Sequence, residues 1–155
     1  MTTSLVHSAA FPVLTEPAYD AVLTLPLPQL FSRRFAALPP IREVRDQTGE
    51  WGAGLGQSRT IVLADGGTMR ETLVRIERPD VFTYTIDAIT GQLKQLVTQL
   101  QGAWSFAPAG TGTRISWTWD VEPARLGAPL MPVFGWMWRG FARQAFEELE
   151  RQLVP

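Results

Sequence analysis

The chain has 155 residues, 14 basic and 15 acidic side chains, a formal net charge of -1 and no cysteine. That length suits one domain with one core, the absent thiols exclude disulfides, thiol catalysis and cysteine-ligated metal, and the balanced charge offers no clustered positive face for nucleic acid. A hydrophobic fraction of 45% against 19% charged residues, with a mean hydropathy of zero, describes a soluble globular protein rather than a disordered chain or a membrane bundle.

Residues 1–14 lack the basic start and long apolar run of a secretory signal, so a cytoplasmic location follows by default. They read as a flexible arm of a single domain spanning 1–155. His7, alone and without carboxylate neighbours, takes no metal or catalytic role there. The β-leaning run from Tyr19 to Leu25 stops at Pro26 and reads as the first strand. Pro28 then opens a short helix with apolar residues at Leu30, Phe31 and Phe35, ending before Pro39-Pro40. Arg33 and Arg34 lie on it, either as a solvated pair or at a cavity mouth for acidic ligands.

Ile41 to Gln47 and Ser58 to Leu63 read as paired strands joined by a mobile glycine-rich loop through Trp51 to Gly56. Asp65-Gly66-Gly67 tolerates the positive φ of a tight hairpin and leads into a strand from Thr68 to Glu77. After Pro79-Asp80, Val81 to Ile89 alternates Phe82, Tyr84, Ile86 and Ala88 against Thr83, Thr85 and Asp87, so one face is buried. Leu93 to Phe106 carries Leu96, Leu100, Trp104 and Phe106 on one parity and ends in the turn Pro108 to Gly112. Thr113 to Val121 alternates strictly, projecting Trp117 and Trp119 about 7 Å apart along one face. Neither Asp65 to Gly67 nor Gly110 to Gly112 matches a nucleotide fingerprint, since neither leads from a strand into a helix.

The period then becomes helical: Leu130, Phe134, Met137, Phe141, Ala145, Leu149 and Leu153 recur every three or four residues, with Arg139, Arg143, Glu147, Glu150 and Arg151 opposite. Some 25 residues of helix reach roughly 37 Å, enough to cross a whole sheet. The longest apolar run, Pro129 to Trp138, is about half of the roughly 20 residues a bilayer requires. The order is therefore strand, short helix, about six hairpin-linked strands and one long helix, an α+β layout in which a curved antiparallel sheet of about seven strands wraps the C-terminal helix.

With Gly67-Thr68-Met69-Arg70-Glu71-Thr72-Leu73 after a hairpin, Gly102-Ala103-Trp104-Ser105-Phe106 with Pro108, Gly110-Thr111-Gly112-Thr113-Arg114 and the closing amphipathic helix, the chain resembles the START-like (SRPBCC, helix-grip) superfamily, polyketide cyclase/dehydrase-type branch. The resemblance implies a cavity between sheet and C-terminal helix. It also implies an acidic residue facing that cavity from the strand after the hairpin, a place that Glu71 matches. Glu71 shares a face with Met69 and Leu73, but the face of Arg70, Thr72, Val74 and Ile76 is nearly as apolar, so either face can point inward. On the solvent side Glu71 would pair with Arg70 or Arg75; in an apolar pocket its pKa would rise.

The candidate ligand-binding residues are Met69, Glu71, Tyr84, Leu100, Trp104, Trp117, Trp119, Phe134, Met137, Trp138 and Phe141, each aromatic among them also readable as core filling. Glu71 and Tyr84 are the candidate catalytic groups; no metal or cofactor is expected. Three functions stay open. The first is binding or carriage of a small hydrophobic ligand, lipid-like or aromatic and polyketide-like; the second is a polyketide cyclase or dehydratase using the same cavity. The third is an interaction module presenting Pro129 to Trp138 to a partner or, as a homodimer, to itself.

Overall fold

Alternation along the strands builds one sheet, and the computed structural model describes it over residues 2–154. Strands β2 (Ile41–Arg45), β3 (Ser58–Leu63), β4 (Thr68–Glu77), β5 (Val81–Asp87), β6 (Val97–Ala109) and β7 (Gly112–Pro123) follow one another as an antiparallel meander. A seventh strand, β1 (Thr3–Phe11), completes the order β1-β7-β6-β5-β4-β3-β2. Phe82, Tyr84 and Ile86 from β5, Trp104 and Phe106 from β6, and Ile115 and Trp117 from β7 all turn to the concave face. There they meet Phe134, Trp138, Phe141, Ala145 and Leu149 of α3 (Met131–Leu153), which runs for 23 residues. Sheet and helix thus bury a common apolar face, the helix-grip arrangement expected of the alternation and the closing 3.6-residue period.

Four local expectations change. The run from Tyr19 to Leu25 is not a strand but lies largely in α1 (Thr15–Thr24). Its buried residues, Ala18, Tyr19 and Val22, sit at helical spacing, and β-propensity yields to that packing. Arg78 fixes the helix from outside, donating from Nε and an Nη to the two oxygens of Asp20 at 2.8 Å each. The short helix after Pro26 is a single turn, α2 (Leu27–Leu30), and Phe35 and Leu38 instead close a small bridged turn. The strand expected from Leu93 starts at Val97, because Gln92–Gln95 form a 3-10 turn. Ala88, expected on the buried face of β5, lies past the end of that strand at φ 52° and is exposed.

The expected flexible arm is ordered over β1, whose ladder with β7 runs from Thr3 opposite Val121 to Phe11 opposite Thr113. Without it the long β7 would present an open edge, and β1 buries Leu5 and Phe11 on the core side. His7 is placed edge-on to Phe146 at 4.6 Å between centroids. Burial first, and then the charge of Arg143, lowers its pKa below the usual imidazole value. The unfolded chain therefore takes up this proton before the folded one, so stability falls as pH drops below about 6.5 towards the folded value. Thermal melts of the wild type and His7→Gln from pH 7.5 to 5 should diverge, with the variant losing that part of the slope.

Candidate functional site

Rings fill one part of the sheet–helix interior. Trp104 and Trp117, directly opposite on β6 and β7, stack with centroids 5.3 Å apart and planes within 12°. Trp138 of α3 tilts onto Trp117 at 4.7 Å, while Trp119 stacks over Phe134 at 6.4 Å. On the other flank Phe31 lies parallel to Phe141 at 5.3 Å. Between this cluster, strands β3 and β4 and the segment from Gln92 to Leu96, side chains do not meet, leaving a cavity with about 120 Å³ open to the centres of water-sized molecules. Its walls are mainly aliphatic and aromatic, among them Ile61, Leu63, Met69, Leu93 and Phe141.

Apart from Asp65 and Gln92, the polar lining gathers in one corner. Arg59 of β3 and Glu71 of β4 are cross-strand partners, and the Arg59 Nε donates to Glu71 Oε1 at 2.6 Å with both side chains under a tenth exposed. Trp51, a buried residue of the glycine-rich loop, covers the Arg59 guanidinium at 3.8 Å from its ring centroid. A cation thus meets both a carboxylate and a π-face out of water, where each contact counts for more than on a surface. Burial pushes the Glu71 carboxyl above the usual carboxylate range, and Arg59 opposes that shift.

Tyr84 of β5 stands on the same inward face. Its hydroxyl oxygen accepts from Trp117 Nε1 at 2.8 Å and from Trp119 Nε1 at 3.0 Å. Burial raises its pKa well above the usual phenol value, helped by the charge of Glu71 and opposed by the two indole donors. Gly102, opposite Tyr84 on β6, makes this posture available: a Cβ there would lie 2.0 Å from Tyr84 Cζ and 2.3 Å from its hydroxyl oxygen. The missing side chain lets the ring lie flat on the sheet.

Of the residues singled out from the sequence, Met69, Glu71, Tyr84, Trp104, Trp117, Trp119, Met137 and Phe141 line the cavity. Leu100, Phe134 and Trp138 do not. They are buried at 2% exposure or less in the packed core, where their volume supports the lining rings. Glu71 pairs with neither Arg70 nor Arg75, which lie on the outer face and pair with Asp87 and Glu77. Arg33 binds Glu147 at 2.6 Å in solvent, and neither it nor Arg34 reaches the cavity. Of the Pro129 to Trp138 segment, Leu130, Val133 and Trp136 are exposed, while Met131, Phe134, Met137 and Trp138 face inward. Sequence reasoning missed Arg59 and Trp51. Arg59 falls opposite Glu71 because the hairpin is centred on Asp65, one residue off the register that a two-residue Asp65-Gly66 turn would give. Among the described residues there is no group of three or more metal-ligating side chains, and no helix is long and apolar enough to cross a membrane.

Solved structures of the same architecture are numerous. Ginseng major latex-like protein 151 from Panax ginseng superposes with a TM-score of 0.72 at 16% identity, covering 100% of this chain and 99% of that one. Ara h 8.0201 gives 0.71 at 15% identity, with 99% of each chain covered. A protein from Nitrosospira multiformis gives 0.68 at 15% identity, over 98% of this chain and 97% of its own. At such identities the likeness establishes the fold alone. No curated protein matches the sequence. The family model described as "Polyketide cyclase / dehydrase and lipid transport" matches residues 16–154, from α1 to the end of α3. With that match over nearly the whole chain, and a seven-stranded sheet gripping α3, the chain belongs to the polyketide cyclase/dehydrase and lipid-transport family of the START-like superfamily.

Proposed function

We propose that this chain binds a small, mostly apolar molecule, lipid-like or aromatic, in the cavity between the sheet and α3. The observation that carries the reading is the space itself: apolar walls around a void, with Arg59, Glu71 and Tyr84 forming one polar corner. The cavity volume of about 120 Å³ lies below the ~300–1,000 Å³ typical of small-molecule sites. That favours a compound of one or two rings, or a short acyl chain, over a full-length lipid.

Two measurements test this. Native mass spectrometry of gently purified protein should retain an apolar adduct that organic solvent extracts. Titration with N-phenyl-1-naphthylamine should show saturable one-to-one binding with a blue-shifted emission, and Ile61→Trp, which fills the void, should abolish it. A clean mass together with no saturable fluorescence overturns the reading.

A second reading, cyclisation or dehydration of a polyketide-like substrate in the same cavity, is favoured by the buried Glu71, whose raised pKa suits a proton donor. Under it, Glu71→Gln should lower turnover of an aromatic polyketide by about a hundredfold or more while leaving naphthylamine binding intact. Homodimer formation would use the exposed stripe of Leu130, Val133 and Trp136, and sedimentation equilibrium over a hundredfold concentration range reads it out.

A further inference from the structure

We propose that the Tyr84 hydroxyl is the recognition point of the cavity, donating its proton to a neutral carbonyl oxygen, so that the preferred ligand is a flat aromatic ketone rather than a hydrocarbon or a carboxylate. This rests on the ligand-binding reading above. A phenol has one proton to give and two lone pairs to receive with. Both lone pairs of Tyr84 are taken, by Trp117 Nε1 at 2.8 Å and Trp119 Nε1 at 3.0 Å. An indole N–H can only donate, so the hydroxyl cannot reverse either bond. Its proton remains, and among the described residues no acceptor takes it.

Tyr84 is 4% exposed and lines the cavity, so the proton is met only by a molecule that enters that space. A buried donor without a partner is costly, and an oxygen arriving in the cavity relieves the cost. Accepting two bonds also polarises the O–H and strengthens it as a donor.

The neighbouring charges narrow the class of oxygen. Arg59 and Glu71 neutralise one another at 2.6 Å, and Trp51 caps the guanidinium. No unpaired cation is therefore left beside Tyr84 to offset desolvation of a carboxylate, and the nearby Glu71 repels one. A ketone carbonyl accepts strongly without carrying charge. The walls suit an apolar, aromatic body: Trp104, Trp117 and Phe141, whose faces are largely taken by one another and by Phe31, Trp138 and Phe146, line the cavity with their remaining edges beside Ile61, Leu63 and Met69.

The test compares 2-acetylnaphthalene with 2-isopropylnaphthalene, which have the same number of heavy atoms but differ in the oxygen. In Tyr84→Phe the ketone should lose about fivefold to tenfold more affinity than the hydrocarbon does. The infrared carbonyl band of the ketone bound to wild-type protein should shift to lower frequency than in hexane, a readout that needs no variant. An unshifted band, or equal weakening of both ligands in Tyr84→Phe, overturns the donor role while leaving carriage standing. Failure of both ligands to bind the wild type overturns carriage and this inference together.

Discussion

Arg59→Met should lower the unfolding free energy by about 3–5 kcal/mol, among the largest effects of any single substitution at the site. Arg59 and Glu71 are both under a tenth exposed and hold each other at 2.6 Å. Removing the guanidinium leaves a carboxylate in the apolar cavity and uncovers the Trp51 face it stacks on. The double variant Arg59→Met/Glu71→Leu should recover most of that loss, because replacing a buried pair by apolar groups of similar volume is often neutral or better.

The single variant also carries a pH signature. Burial already holds the folded Glu71 pKa above its unfolded value, and without Arg59 opposing it the gap widens. The folded state then binds the proton more readily than the unfolded chain, so stability rises as pH falls from the raised folded value towards the ordinary carboxylate range. Urea titrations at several pH values measure both effects. A loss under about 1 kcal/mol in Arg59→Met would show that the pair is not desolvated as described.

Gly102→Ala should also destabilise strongly, against what local preference suggests. Glycine inside a strand normally costs roughly 0.5–1 kcal/mol relative to alanine, so propensity alone favours the change. The added methyl would stand 2.0 Å from Tyr84 Cζ. Tyr84 cannot swing aside cheaply, because two indole bonds hold it and it is buried. Overpacking of about 1–3 kcal/mol combines with about 1–3 kcal/mol for each buried indole N–H left without an acceptor, giving a net loss of about 3 kcal/mol or more. Near-ultraviolet circular dichroism should change with it, since Trp117 and Trp119 lose their common acceptor. In a Tyr84→Leu background the same substitution should cost far less, and equal costs in the two backgrounds would refute the contact.

Strict alternation and helical period made the later half of the chain legible. Phe82-Tyr84-Ile86, Ile115-Trp117 and the heptad-like run through α3 point to the faces they occupy. The first forty residues were opaque for two reasons. β1 sets His7 among the inward Leu5, Ala9 and Phe11 and the apolar Val6 on the outer face, a weak signal that becomes a strand because β7 offers an edge. The last turn of α1 carries β-leaning Val22 and Leu23 and no side chain caps its N-terminus, so its helix depends on packing Tyr19 against Phe82 and Phe106. For the site, the inward parity of β4 was undecidable from hydrophobicity. The outer face carries Val74, 48% exposed, and the inner face carries the charged Glu71. Cross-strand register from the hairpin settles it by placing Arg59 beside Glu71 and Ile61 beside Met69.

Whether the interior of this molecule contains empty apolar space can be asked with xenon, which needs a dry void and no particular chemistry. Crystals held under xenon pressure should show an ordered atom in the cavity bounded by Ile61, Met69, Leu93 and Phe141. An interior free of xenon, with the Trp104 and Trp117 rings closed over that volume, would mean that sheet and helix pack solid and hold no ligand.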